Sequence, residues 1–287
     1  MKTLTLTLAL LLTTSPAFSQ SKFKAARETT PPHMVSVTSL STPAMVFIPR
    51  RAIGKSNHRF GPGRPLVILN HAAGQTERQF YDLPPFRALL DALLEQGYIV
   101  AMSRLTDNPD GGYYNWGNRK ALDANFELYS YIVSRYGVDT TRVAMLGNSM
   151  GGLVTLTSIP DGRIPVRCAA LYYPVTHLRG QYNYNAQMAT GINFAYGINP
   201  DGSNFEAQTI GHDPQTRDAR DWAGVRLRFY GGDGDRIVPW YMHGGAFARL
   251  VAGAALESEV VTLEGDHNVG VEKTTDDLTA FIARCFE

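Results

Sequence analysis

The sequence predicts an α/β fold with a mostly parallel central sheet and helices on both faces, and two patterns support this prediction. The apolar run at residues 65–69 is followed by apolar side chains at helical spacing over residues 86–94 and by a second apolar run at residues 98–102, which is one βαβ unit. The same alternation then recurs along the chain. Alternating strands and helices are typical of a parallel sheet that is buried on both faces.

The other elements are predicted from the same two periodicities. Two short apolar stretches at residues 35–40 and 43–48 precede the first unit and predict a hairpin. Gly97 and Gly137 stand where helix C-terminal caps belong. Further strands are predicted at residues 142–146, 167–173, 225–230 and 259–263, and further helices at about 120–136, from residue 149, and at about 240–252 and 275–286.

The alternation stops between residues 175 and 222, where the chain is rich in Asn, Gly and Tyr. An insertion of this length without regular structure is usually functional or mobile. We therefore predict one domain, residues 20–287, in which a cap insertion at about residues 175–222 covers the functional site.

Residues 1–19 are typical of a cleavable export signal, with a basic start at Lys2, a short apolar run and small residues at the exit. The apolar run is shorter than the roughly 20 residues of a membrane helix, so we expect a secreted or periplasmic protein without a membrane partner. Cleavage removes Lys2 and no acidic residue, so 27 basic and 26 acidic side chains become 26 and 26. A net charge of zero gives no reason to expect a nucleic acid partner.

The two cysteines, Cys168 and Cys285, both remain after this cleavage. An oxidising compartment permits a disulfide, and the predicted positions, at the start of a strand and the end of the last helix, lie at one edge of the sheet. The alternative is two buried thiols that pack as small apolar side chains. The sequence leaves both alternatives open.

Residues 147–151 fit the pattern G-x-S-x-G, with Ser149 at its centre. The stretch follows an apolar strand and opens a helix, which is the setting that a nucleophile elbow requires. The two glycines permit a sharp turn, and the helix N-terminus favours negative charge nearby. The pattern therefore predicts Ser149 as a nucleophile, whereas the alternative is a serine that caps a helix after a tight turn.

Two later strands end in a carboxylate and an imidazole. A serine hydroxyl needs a base to take its proton, and the base needs a third group to orient it. Asp235 follows the strand at residues 225–230, and His267 follows the strand at residues 259–263. Both are expected at the C-terminal edge of the sheet, where α/β proteins build their sites. Asp233 is the alternative acid, with a turn residue as its other interpretation.

These motifs resemble those of the α/β-hydrolase superfamily, and more narrowly those of its dienelactone-hydrolase-like members, from about residue 35 to the C-terminus. The family pattern G-x-x-D-x-x-V-P matches residues 232–239 and implies Asp235 as the acid. The pattern G-x-H matches residues 265–267 and implies His267 as the base. Dienelactone hydrolase carries a cysteine as nucleophile, whereas this chain carries Ser149, so the resemblance does not extend to that enzyme's substrate.

The resemblance also implies two backbone donors for an oxyanion. One is the N–H of Met150, and the other comes from the loop after the strand at residues 65–69. In that loop the N–H of Ala73 is the first choice and that of Ala72 the alternative. His71 is expected to hold the loop in place.

Aromatic side chains at Tyr113, Tyr114 and Trp116 follow the strand at residues 98–102 and either line the substrate pocket or simply pack. Asp266 is expected to order the histidine loop or to face water. No two of the other histidines lie at metal-ligand spacing, so neither a metal nor another cofactor is predicted. They are His33, His58, His177, His212 and His243, the last within a predicted helix in a surface or packing role.

The sequence as a whole predicts an exported serine hydrolase, specifically a carboxylesterase that acts on a small-molecule or polymeric ester through an acyl-enzyme. The rival enzyme is a serine peptidase of the prolyl-oligopeptidase type, which has the same order of catalytic residues; the chain is too short to add that family's propeller. A non-catalytic binding protein of the same fold is the third alternative, although such proteins usually lack a member of the triad.

Overall fold

In the computed structural model of the chain, which describes residues 33–49, 63–107 and 115–287, eight strands form one sheet. They are β1 (His33–Val37), β2 (Ala44–Ile48), β3 (Arg64–Asn70), β4 (Ile99–Ser103), β5 (Val138–Asn148), β6 (Val166–Tyr172), β7 (Arg226–Gly231) and β8 (Glu257–Thr262). Their spatial order is β1-β2-β4-β3-β5-β6-β7-β8. β2 pairs antiparallel with β1 and β4, and the remaining neighbours are parallel. The predicted export signal lies outside the described residues.

Helices cover both faces of this sheet. Within the described ranges they are α1 (Gln79–Asp82), α2 (Pro84–Glu95), α3 (Arg119–Tyr136), α4 (Met150–Asp161), α5 (Leu178–Tyr184), α6 (Ala186–Tyr196), α7 (Phe205–Thr209), α8 (Gly244–Val251) and α9 (Thr275–Cys285). α3, α4 and α8 contribute to the apolar cluster on one face, and α2 and α9 contribute to the cluster on the other. The predicted α/β architecture, a mostly parallel central sheet with helices on both faces, is confirmed.

The central strands contain consecutive apolar residues because both of their faces are buried. In β3, Leu66 and Ile68 join the cluster under α3 and α8, whereas Val67 and Leu69 join the cluster under α2 and α9. Successive side chains of a strand point to opposite faces. A run of consecutive apolar residues is therefore what a strand covered on both faces requires.

The segment predicted as a cap, residues 175–222, contains α5, α6 and α7, so the expectation of a segment without regular structure is wrong. Some of the asparagines and glycines that suggested a loop end helices. Asn185 accepts hydrogen bonds from the N–H groups of Gln187 and Met188 at the start of α6, and Gly197 ends α6 with a φ of 63°. These residue types are typical of N-terminal and C-terminal caps.

Cys168 and Cys285 form a disulfide, with their Cα atoms 6.1 Å apart. Cys168 lies within β6 and Cys285 is the last residue of α9. The bond therefore fastens the C-terminal helix to the centre of the sheet. Among the helices in the described ranges, none combines the length and the apolar character needed to cross a membrane.

Candidate active site

Ser149 lies at a sharp turn between β5 and α4. Its φ of 54° and ψ of −117° form a conformation that L-residues rarely adopt, and its side chain does not cap the helix. Its N–H donates to the carbonyl of Tyr172 at 2.8 Å, and its carbonyl accepts from the N–H of Val175 at 2.9 Å. Such strain in a turn held by its neighbours is typical of a nucleophile elbow.

The two glycines of the motif are required because neighbouring backbone atoms leave no room for a side chain. A Cβ on Gly147 would overlap the backbone of Gly151, and a Cβ on Gly151 would overlap the carbonyl group of Asn70. α4 therefore packs directly against the end of β5 and against the loop that follows β3. This close approach brings Ser149 next to the loop in which an oxyanion donor was predicted.

His267 and Asp235 are joined by a hydrogen bond of 2.7 Å between Nδ1 and Oδ2. The other carboxylate oxygen, Oδ1, accepts from the N–H groups of Ile237 and Val238, each at 2.9 Å. The Asp235 side chain is fully buried. A carboxylate held in this way fixes the ring so that the proton resides on Nδ1, which leaves Nε2 as the proton acceptor. Asp233, the alternative acid, is exposed.

The elbow and the histidine loop are in direct contact. Asn148, which precedes Ser149, donates from Nδ2 to Oδ1 of Asn268, which follows His267, at 2.6 Å. The ring of Tyr173 lies 5.3 Å from the His267 ring, and its hydroxyl donates to the carbonyl of Val269 at 2.6 Å. Burial, aided by nearby carboxylates, raises the pKa of Tyr173 to about 12, so this hydroxyl stays a donor at neutral pH.

No hydrogen bond joins Ser149 Oγ directly to His267 in the described part of the chain. Bonds between a nucleophile and its base are often long in a free enzyme and shorten in the substrate complex. The structure thus places the three predicted catalytic groups on adjacent loops and pairs two of them directly.

Two backbone N–H groups in the loop after β3, those of Ala72 and Ala73, differ in whether they donate a hydrogen bond. The N–H of Ala72 donates to Oε1 of Gln79 at 2.7 Å and is therefore engaged. The N–H groups of Ala73 and Met150 take part in none of the hydrogen bonds found among the described residues. Positive φ in this loop falls on Gly74, at 75°, so the alanine at position 72 adopts an unstrained conformation. This geometry favours Ala73 over Ala72 as an oxyanion donor.

His71 is buried and holds this loop against the end of β4. Its Nδ1 lies 2.9 Å from the carbonyl oxygen of Ala72 and its Nε2 lies 2.8 Å from that of Arg104. Arg104 in turn donates two hydrogen bonds of 2.9 Å to Glu77. Burial lowers the pKa of His71, and the ring makes structural contacts only, as expected for a residue that pins the loop.

Of the two residues predicted to line the substrate pocket, the structure describes only Trp116. Tyr114, like Tyr113, lies outside the described residues. Trp116 is 1% exposed and belongs to an apolar cluster with Met150 and Leu178. The burial of its side chain in that cluster favours the packing alternative over a pocket contact.

Three polar residues around the site were not predicted to contact one another. Gln79, Asn148 and Asn268 form a hydrogen-bonded line from the Ala72 loop to the histidine loop. Asn148 and Asn268 adjoin predicted catalytic residues, which is the one signal in the sequence that points to them. Gln79 has no such signal, because it lies in a separate helix.

Asp266 and His243, which the sequence analysis also considered, make structural contacts. Asp266 accepts from the N–H of His267 at 2.8 Å and pairs with the Arg236 side chain, which lowers its pKa to about 2. His243 immediately precedes α8 instead of lying inside it, and its Nδ1 accepts from the N–H groups of Thr176 and His177, each at 3.3 Å. No group of three or more acidic, histidine or cysteine side chains converges on a metal position in the ranges described.

Comparison with known proteins places the chain in a family. A model of the prolyl oligopeptidase family matches residues 85–287. The chain belongs to this family. The family assignment confirms the α/β-hydrolase superfamily. The family is the one that the sequence interpretation held as the rival enzyme. No curated protein is significantly similar to the chain.

Solved structures share the fold at low identity. A puromycin-hydrolyzing peptidase of Mycobacterium tuberculosis is 20% identical with a TM-score of 0.68, and the match covers 88% of this chain and 39% of that one. A fungal esterase of Rhizomucor miehei is 14% identical with a TM-score of 0.65, and the match covers 89% and 82%. The chain thus spans about two fifths of the length of the peptidase and most of the esterase.

Proposed function

We propose that this serine hydrolase cleaves carboxylic esters, with Ser149 as nucleophile, His267 as general base and Asp235 as the residue that orients the base. The observation that carries the proposal is the 2.7 Å hydrogen bond between His267 and the buried carboxylate of Asp235, beside a serine held at a φ of 54°. This pair and this strain have no evident purpose in a protein that only binds a ligand.

The reaction then proceeds in two halves. Nε2 of His267 takes the Ser149 proton as Oγ attacks the ester carbonyl, and the N–H groups of Ala73 and Met150 stabilise the oxyanion. His267 returns the proton to the leaving alcohol, which leaves an acyl group on Ser149. Water, activated by the same imidazole, releases the acid. The N-terminus of α4 adds a favourable dipole beside the developing charge.

The packing of the cap supports a small substrate. Leu178 and Ile192 of the cap share an apolar cluster with Met150, which follows the nucleophile, and with Val238, which follows the acid loop. The cap therefore rests on two of the loops that build the site. A covering this close favours a compact ester over an extended polymer.

Peptide hydrolysis is the second candidate, because the chain belongs to the prolyl oligopeptidase family. The same three groups cleave an amide if His267 protonates the departing amine. The two candidates differ in the leaving group, so one acyl group presented as an ester and as an anilide separates them.

The first experiment tests the nucleophile. A fluorophosphonate probe should label Ser149 in the purified protein, as located by mass spectrometry, and Ser149→Ala should abolish both labelling and hydrolysis of p-nitrophenyl acetate and butyrate. Ser158→Ala is the matched control, since Ser158 is a buried serine of α4 that donates to the Val154 carbonyl. Labelling that persists in Ser149→Ala, or a folded protein without labelling and turnover, would contradict the proposal.

The second experiment compares leaving groups. N-acyl-proline supplied as a p-nitroanilide and as a p-nitrophenyl ester presents one acyl group on two leaving groups. The ester proposal expects kcat/KM for the prolyl anilide to be small relative to that for the matching prolyl ester. A kcat/KM for the prolyl anilide comparable to that for the matching ester would establish the peptidase instead.

We further propose that the chain is exported to the periplasm or the medium. The disulfide between Cys168 and Cys285 supports this, because such bonds persist in oxidising compartments. The intact mass of the protein recovered from periplasm and medium should correspond to a first residue near Gln20. Recovery only from the cytoplasm, with an unprocessed N-terminus, would overturn the proposal.

A further inference from the structure

A line of amide side chains, two of them buried and one half-buried, runs behind the candidate site. The N–H of Ala72 donates to Oε1 of Gln79 at 2.7 Å, and Nε2 of Gln79 donates to Oδ1 of Asn148 at 2.8 Å. Nδ2 of Asn148 then donates to Oδ1 of Asn268 at 2.6 Å. We call these three side chains the amide relay: Gln79, Asn148 and Asn268.

The relay has a defined direction. A backbone N–H can only donate, so the Ala72 contact forces Oε1 of Gln79 toward it and Nε2 toward Asn148. The Asn148 oxygen therefore accepts, and its nitrogen must donate onward to Asn268. Gln79 is 3% exposed and Asn148 is fully buried, so water does not compete for these bonds. Removal of one member leaves its partners unsatisfied in a buried setting.

The residues joined by the relay are sequence neighbours of the predicted oxyanion donor, the nucleophile and the base. Ala72 precedes Ala73, Asn148 precedes Ser149, and Asn268 follows His267. Asn268 itself adopts a φ of 66°, a left-handed conformation that needs support in a residue other than glycine. The relay thus holds in register the three loops that carry the oxyanion donor, the nucleophile and the base.

We propose that Gln79 is a positioning residue for the hydrolase reaction, which fixes the oxyanion loop directly and the His267 loop through Asn148, both relative to Ser149. This inference rests on the proposed function and names a residue that touches neither the substrate nor the triad. A misplacement of about 1 Å in such a site costs roughly 10²-fold in rate.

A second buried amide cluster provides the control. Asn125 donates to Oδ1 of Asn70 at 2.9 Å, and Asn70 donates to Oγ1 of Thr155 at 2.9 Å. Asn125 is as buried as Asn148, but its cluster does not reach the histidine loop. Asn125→Ala therefore removes a buried amide without interrupting the relay.

The kinetic test compares Gln79→Ala, Gln79→Glu and Asn125→Ala with p-nitrophenyl acetate. Gln79→Ala should lower kcat by about 10- to 100-fold with little change in KM, beyond any effect of Asn125→Ala. In Gln79→Glu, a protonated carboxyl group can make both contacts, whereas an ionised carboxylate can make only the Ala72 contact. The kcat of Gln79→Glu relative to the parent should therefore fall as the pH rises, whereas that of Gln79→Ala should stay flat.

A structural readout separates this inference from the proposed function. Gln79→Ala should accelerate backbone hydrogen exchange at Ala72 and also over residues 266–270, whereas Asn125→Ala should leave residues 266–270 protected. Exchange at residues 266–270 that matches the parent in Gln79→Ala, or a kcat within twofold of Asn125→Ala, overturns the inference. If the parent itself neither labels nor turns over, the proposed function fails and the exchange result alone decides whether the relay couples the loops.

Discussion

At the scale of single residues, burial and hydrogen bonding distinguish the two carboxylates of the loop after β7. Asp235 is 3% exposed and receives three hydrogen bonds, one from the His267 ring and two from backbone N–H groups. Asp233 lies two residues earlier and is exposed. A catalytic acid must be held rigidly against the imidazole, and only Asp235 meets that condition.

Replacement of Asp235 tests this distinction. Asp235→Asn should lower kcat by about 10⁴-fold, because an amide in this position favours the wrong imidazole tautomer. Asp233→Asn makes the same chemical change on an exposed side chain and should retain the kcat of the parent. Steady-state hydrolysis of p-nitrophenyl acetate by both variants provides the measurement. A greater loss of kcat in Asp233→Asn would transfer the role to Asp233.

His243 provides a second residue-scale prediction, on stability. Burial lowers the pKa of His243 to about 3, below its ordinary value of 6.5, so the unfolded chain binds a proton more readily than the folded one between these pH values. The stability from a neutral His243 is complete above pH 6.5 and is lost as the pH falls toward 3, by about 1.4 kcal/mol per pH unit.

The variant His243→Asn isolates this effect, because an asparagine oxygen can accept the hydrogen bonds that now reach Nδ1 and does not titrate. Urea unfolding of both proteins between pH 4 and pH 7.5 should show a steeper loss of unfolding free energy in the parent as the pH falls. Parallel curves for the two proteins would show that His243 is not the group responsible.

At the scale of elements, an ion pair between Asp266 and Arg236 joins the loop of His267 to the loop of Asp235. Asp266 accepts from the backbone N–H of Arg236 at 3.1 Å and from its guanidinium at 2.6 and 3.0 Å. These bonds and that from the His267 N–H lower the pKa of Asp266 to about 2 from 3.8. A depressed carboxyl pKa contributes stability that is present above pH 3.8 and lost as the pH falls toward 2.

Asp266→Asn should therefore be less stable than the parent at neutral pH, and the difference should shrink as the pH falls from 4 to 2. Chemical unfolding across that range measures it, with Arg236→Gln as the control that removes the partner and leaves the carboxyl. Since Asp266 is exposed to solvent, salt should also reduce the difference. A difference that does not change with pH would indicate that packing, and not charge, stabilises the contact between Asp266 and Arg236.

The elements themselves were predictable where local sequence dominates. The buried strands and α9 follow from apolar periodicity, and α2 and α3 follow from apolar periodicity and the glycines at their ends. β5 is longer than predicted, because its polar start around Asp139 extends to Val138, which pairs with Arg64. The cap helices were missed because their asparagine and glycine content resembles that of loops, whereas in the structure these residues end helices.

At the scale of the whole molecule, the disulfide ties the C-terminal helix to the core. Cys168 and Cys285 are 117 residues apart in sequence, so the bond restricts a large part of the unfolded chain. Removal of such a bond costs about 2–5 kcal/mol in unfolding free energy. The end of α9 also packs there, with Phe286 against Tyr98.

The double variant Cys168→Ala with Cys285→Ala should thus unfold at lower denaturant concentration than the oxidised parent. A reducing agent should destabilise the parent by a similar amount and leave the double variant unchanged, as followed by circular dichroism. Equal stability of the oxidised and reduced parent would show that the bond does not contribute to the folded state.

The fold class and the nucleophile motif were predicted from the sequence alone, because both depend on features that are local in the chain. Apolar periodicity specifies which strands are buried, and G-x-S-x-G between a strand and a helix specifies a tight turn. The order of Ser149, Asp235 and His267 is likewise predicted, because each residue follows the end of a predicted strand. Each of these signals lies within a few residues of the feature that it predicts.

Contacts between distant segments became known only from the folded structure. It pairs Asp235 rather than Asp233 with His267, engages the Ala72 N–H and joins the two cysteines. It also assembles the amide relay across separations of 69 and 120 residues. A hydrogen bond selects its partner by distance and direction in space, and neither is encoded in the spacing of residues along the chain.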